Sequence, residues 1–198
     1  MDNKLNKRIE KCNNISEKMK NDGYTRRDLT TTALRAQTIC YLLPLPFVVM
    51  YAVIYFLLGN SLSFEGEKPI LIIVLTAITL IIHEGLHALG HSIFAKNHFK
   101  DVEFGFSKGC PYCYCNACET FSHYAIALLM PLIVLGISLS IISFFLHSTV
   151  FFLVVVINIF GTSGDIEILR LMNKKKKNGK DALYHDHPEL PGVIKFYK

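Results

Sequence analysis

The sequence predicts a mainly α protein: a four-span transmembrane helical bundle with a small cytoplasmic β-hairpin between spans two and three. Three observations carry this. The apolar residues are gathered into long uncharged runs, the basic residues lie beside those runs, and one inter-span segment alternates with period two. Across 198 residues, 51% are hydrophobic and only 19% are Asp, Glu, Lys or Arg, against roughly 25% charged in ordinary soluble domains. Mean hydropathy is +0.33. That content excludes disorder. Net charge is +5, but the basic residues flank apolar runs, so a nucleic-acid partner is not expected and a lipid bilayer is.

The first unit, 1–36, is a cytoplasmic N-terminal arm. From Lys4 to Lys20, Leu5, Ile9, Cys12 and Ile15 recur at helical spacing against a basic face, a pattern suited to a membrane surface or to a solvated helix. Asp22-Gly23 ends it. No apolar stretch precedes the first span, which is expected to serve as its own insertion signal.

The second unit, 37–172, is the membrane domain. Ala36 to Phe64 contains no charged side chain, Pro69 to Ile82 none, and Thr120 to Gly164 none over 45 residues. About 20 apolar residues cross a hydrocarbon core of about 30 Å, which places spans near 39–59, 69–95, 121–146 and 149–171. Between spans two and three, Val102, Phe104 and Phe106 alternate with Glu103 and Gly105. Ser107-Lys108-Gly109 reads as a turn and Tyr112 to Cys115 as a returning strand. The third unit, 173–198, reads as a basic cytoplasmic tail, with His185, Asp186 and His187 in a capped turn before Pro188.

Twenty of the 21 Lys and Arg residues fall in the two termini and the second loop; the first loop has only Lys68. The positive-inside rule then makes this a multi-pass protein of the cell membrane with both termini cytoplasmic. Cys110, Cys113, Cys115 and Cys118 fall on that reducing side, where disulfides are not expected. Their spacing, Cys-x-x-Cys-x-Cys-x-x-Cys, leaves one residue between the pairs, so packing accounts for them better than four thiolates around one ion.

Span two carries His83-Glu84-Gly85-Leu86-His87, a His-Glu-x-x-His pattern. Residues four apart share a helix face, so His83 and His87 can hold one metal ion, Zn2+ by preference, with Glu84 beside it to accept a proton from water. Ionisable groups in a span are costly and point to function. Zinc needs a third protein ligand. His91 stands two i+4 steps from His83, about 12 Å along the axis, too far for one tetrahedral ion, and is expected to support the site or sit at the interface. Asp165 is the better candidate: counted from the span starts, it lies about 24 Å along span four and His83 about 21 Å along span two. Glu167 is the alternative. Gly161 and Gly164 are expected to let span four bend or approach another backbone.

These residues carry a resemblance. A His-Glu-x-x-His span followed by an Asp from a later span, after Asn158 and glycines, resembles the site-2 protease class of intramembrane metalloproteases. From about Tyr24 onward the chain looks like the small multi-pass bacterial proteins grouped as putative zincin peptidases. The shared features are His83 to His87, Tyr112-Cys113-Tyr114-Cys115, Met130-Pro131, Gly164-Asp165 and Asp186-His187-Pro188 with Pro191-Gly192. The resemblance implies His83, His87 and Asp165 as zinc ligands and Glu84 as catalytic base. It implies a zinc metalloendopeptidase that cleaves a membrane-protein or peptide substrate at or near the cytoplasmic face. The proline-containing Leu-Asp-Gly segment usual in site-2 proteases is absent. The competing expectation is a catalytically silent membrane adaptor or accessory subunit that keeps a structural metal site. The hairpin is expected to clamp an extended substrate along one edge.

Overall fold

A computed structural model describes residues 2–31, 38–39, 41–64, 69–107, 110–174 and 182–198. The order is α1 (Asp2–Asn21), β1 (Thr25–Thr30), α2 (Leu45–Leu57), α3 (Pro69–Phe94), a 3-10 turn (His98–Asp101), β2 (Val102–Ser107), β3 (Cys110–Cys115), β4 (Glu119–Thr120), α4 (Phe121–Leu146), α5 (Thr149–Gly161), α6 (Ser163–Lys174), β5 (Leu183–Asp186) and β6 (Gly192–Tyr197). The chain is mainly helical with small antiparallel sheets.

Among the described residues, three helical stretches are long and apolar enough to cross a membrane: Pro69–Phe94, Phe121–Leu146 and Thr149–Asn173. They match expected spans two, three and four. Their outer faces are apolar, with Ile81 and Phe145 exposed, which suits lipid contact. The first expected span, 39–59, differs: its helix α2 has 13 residues, about 20 Å of rise. Pro44 stands at its N-cap and Gly59, at φ +80°, follows its end. α2 still belongs to the bundle. Tyr51 and Tyr55 pack with Leu135, Leu139 and Phe152, and the Tyr51 hydroxyl donates to Ser143 Oγ at 2.7 Å.

Span four is broken. α5 ends at Gly161, Thr162 caps it, and α6 starts at Ser163. The interruption is the single residue Thr162, which keeps right-handed helical geometry, and a Cβ on Gly161 or Gly164 would meet nothing within 4 Å, so neither serves a close backbone approach. That role falls to Gly90, where a Cβ would lie 2.6 Å from Ala127 Cα. α3 and α4 touch backbone to backbone there. Asn158 Nδ2 on α5 donates to Thr79 Oγ1 on α3 at 3.0 Å, tying the second and fourth spans together.

The hairpin is present: β2 and β3 pair antiparallel, with Glu103 opposite Tyr114 and Phe104 opposite Cys113. Lys108 and Gly109, in the expected turn, lie outside the described residues. Period-two reasoning did not reveal a second sheet, of order β1-β6-β5-β4. It joins the N-terminal arm, the end of the second loop and the C-terminal segment, so what reads as a basic tail holds two strands. Val193 packs on one side with Leu29, Tyr124, Leu128, Met172 and Tyr184. Ile194 and Phe196 pack with Cys12 of α1, and with both faces covered β6 has no polar alternation to betray it. The arm helix therefore rests on its own protein. Arg8 is buried over the rings of Tyr112 and Tyr114, and Arg8 and Lys11 pair with Glu103 at 3.2 and 2.7 Å.

Candidate metal centre

Helical spacing brings His83 and His87 onto one buried face of α3, and Asp165, in the first turn of α6, lies against them. Their Nε2 atoms lie 3.1 Å apart. His83 Nε2 is 3.3 Å from Asp165 Oδ2 and His87 Nε2 is 3.2 Å from Asp165 Oδ1. Donors at 2.0–2.1 Å from a tetrahedral zinc stand about 3.3 Å from one another, so the triangle matches that ion. Glu167, the alternative third ligand, instead pairs with Arg170 at 2.5 and 2.7 Å.

The hydrogen bonds point the same way. His87 Nδ1 faces the Ala127 carbonyl at 2.9 Å. A carbonyl only accepts, so Nδ1 carries a proton, which leaves Nε2 to face the Asp165 carboxylate with a proton or with a cation. Two acceptors facing each other require a proton or a cation between them. Asp165 Oδ2 is buried without a hydrogen bond of its own, as expected of an oxygen reserved for a cation.

The Ala127 carbonyl is available for a specific reason. In α4 its partner would be the N–H of residue 131, and that residue is Pro131, buried inside the helix. Proline has no N–H to give. Pro131 frees the carbonyl, and Gly90 lets α4 come close enough for His87 to donate to it. Such outer hydrogen bonds fix a ligand's tautomer and orientation.

Glu84, half-buried, follows His83 on α3, and α3 packs against β3. Cys115 N–H donates outward to Asp186 Oδ2 at 2.7 Å, and residues two apart point alike. Pro111, without a donor, falls on the same outward register.

His91 does not join this triangle. Its Nδ1 lies 2.9 Å from Glu119 Oε2, and Cys115 Sγ donates to Glu119 Oε1 at 3.8 Å. Asp186, expected in a turn, accepts from the Tyr124 hydroxyl and from Cys115 N–H. Burial, and the carboxylates of Asp186, Glu84 and Glu119, push the Cys113 thiol up. Burial outweighs the pull of Asp186 and lowers His185. Sequence reading missed Glu119, although it is the last charged residue before the uncharged stretch from Thr120.

Helices long and apolar enough to cross a membrane thus carry a buried pair of histidines from a His-Glu-x-x-His helix, with a carboxylate 3.2–3.3 Å from both, a group that could hold a metal ion. The chain belongs to the family described as "Putative zincin peptidase", whose model matches residues 76–179 and so takes in both histidines, Glu84 and Asp165. No curated protein and no solved structure matches the chain.

Proposed function

We propose that the protein is a zinc-dependent membrane metallopeptidase of the site-2-protease type, hydrolysing a peptide bond at or near the cytoplasmic face. The observation that carries this is the convergence of His83 Nε2, His87 Nε2 and the Asp165 carboxylate within 3.1–3.3 Å of one another, with Glu84 beside them. His83, His87 and Asp165 would hold the ion, which supplies Lewis acidity and lowers the pKa of water. Glu84 accepts the proton of the attacking water and passes it to the leaving nitrogen. His87 is held in its ligating tautomer by Ala127. The apolar surroundings of α3 and α5 keep bulk water away, which strengthens these interactions.

The second sheet supports the membrane arrangement. β1 comes from the N-terminal arm, β4 from the end of the second loop and β6 from the C-terminal segment, so all three share one side of the bilayer. With α3 running toward that side, the chain between β1 and α3 would cross once, and α2, which lies in that interval, is the segment we assign to this fourth crossing. The charge distribution makes the shared side cytoplasmic.

Glu84→Gln tests the enzyme reading against the silent adaptor. Zinc should stay bound while peptide cleavage, or the cellular effect that depends on it, falls about 10²–10⁴-fold, the usual worth of a positioned general base. An unchanged effect with zinc retained would favour the adaptor.

A further inference from the structure

Beyond the His83–His87–Asp165 triangle, one other described group of His, Cys and carboxylate side chains converges. His91 on α3, Cys115 on β3 and Glu119 on β4 offer ligand atoms that all lie within 4.8 Å of one another. Their exposures are 4%, 1% and 3%, so the group is sealed from solvent. We propose that His91, Cys115 and Glu119 form a second metal site, taking a borderline-soft divalent cation of the zinc class.

The donor chemistry selects the ion. An imidazole, a thiol and a carboxylate together suit zinc, whereas magnesium and calcium demand oxygen ligands. The geometry is close to ready. His91 Nδ1 to Glu119 Oε2 is 2.9 Å and Cys115 Sγ to Glu119 Oε1 is 3.8 Å, the first below and the second at the upper end of the roughly 3.3–3.8 Å expected between tetrahedral zinc donors. Glu119 is otherwise an expensive residue to bury: one oxygen meets His91, and the other meets only a weakly donating thiol. A cation answers both oxygens.

The donors are also held in place. Asp186 Oδ2 accepts the Cys115 N–H at 2.7 Å, the Tyr124 hydroxyl donates to Asp186, and the Tyr124 ring stands edge-on to His91 with centroids 5.2 Å apart. The site is separate from the first. His91 is one turn, about 6 Å, beyond His87, and ions sharing a reaction stand about 3.5–4 Å apart. The second ion would therefore staple α3 to the hairpin and to β4, fixing the β3 edge beside Glu84. It does not depend on the peptidase reading.

The test uses full-length protein purified in detergent, loaded with zinc or with cobalt. Wild type should bind about two zinc equivalents, one for each group of three. Cobalt-loaded wild type should show thiolate-to-cobalt charge-transfer absorption. Cys115→Ser should lose that band and about one equivalent, while Cys113→Ser and Cys118→Ser keep both. Asp165→Asn should lose the other equivalent and keep the band, even if the peptidase reading fails. Absence of the band from cobalt-loaded wild type would overturn the proposal without reference to the folding of any variant. Its persistence in Cys115→Ser would do the same.

Discussion

His87 and Ala127 are joined across two helices: the imidazole Nδ1 donates to the carbonyl at 2.9 Å, and that carbonyl lies four residues before Pro131. Two residues that touch no metal thereby set the state of one that is placed to. Gly90→Ala should push α4 away, since its Cβ would meet the Ala127 backbone at 2.6 Å. Overpacking of this kind costs about 1–3 kcal/mol, and zinc affinity should fall with thermal stability.

Pro131→Ala should separate these two effects. It restores an N–H that competes for the Ala127 carbonyl and removes a helix-interior proline, so α4 should become more stable. Zinc affinity should nevertheless drop about 10–100-fold, the usual cost of losing a ligand's outer hydrogen bond. Metal titration beside thermal unfolding checks both directions. Equal affinity in the variant would remove Pro131 from the site.

The ligand triangle is tested by metal content. His83→Ala, His87→Ala and Asp165→Ala should each release the zinc of the first site, whereas Glu167→Gln should keep it, because Glu167 is engaged by Arg170. Loss with Glu167→Gln and retention with Asp165→Ala would exchange their roles.

Substrate grip is tested on the edge of β3. The register pairs Glu103 with Tyr114, and alternation from the outward Cys115 N–H turns this pair into the ladder. Glu103→Pro or Tyr114→Pro would therefore damage the hairpin itself. Cys113 N–H shares the outward register of Cys115, so Cys113→Pro removes one edge donor and leaves the ladder intact, and an unchanged pH profile of any residual cleavage separates lost substrate grip from a disturbed Glu84. Cleavage should be lost with zinc content unchanged. Normal cleavage would show that substrate is held elsewhere.

Docking of α1 should depend on acid. Burial alone would raise the Glu103 carboxyl, but hydrogen bonds from Lys11, Asn116 and Arg8 outweigh it and hold it down to about 2, from an ordinary 4.5. A carboxyl lowered in the folded state adds stability that is complete above pH 4.5 and is lost as pH falls toward 2. Proteolytic protection of α1 should thus be flat above that window and decline within it. Glu103→Gln should free the helix at neutral pH.

The amino-acid sequence by itself determined the elements whose physics is local. Long apolar runs with few or no charges marked the three membrane-length helices, although the uncharged run Ala36–Phe64 holds a helix of only 13 residues. Period two marked the hairpin, and i+4 spacing put His83 and His87 on one face. Depth along two spans pointed to Asp165, and Asp165 is the carboxylate found beside both histidines. Only the tertiary structure decided what depends on neighbours distant in the chain. β6 is buried on both faces and has no alternation to read, so the second sheet was hidden, and with it the resting place of α1. His91, too far along the helix for the first ion, meets Cys115 and Glu119 only because β3 and β4 fold back against α3. The availability of the Ala127 carbonyl depends on a missing N–H in one helix and a missing Cβ in another. Neither absence carries meaning until the two helices are packed together.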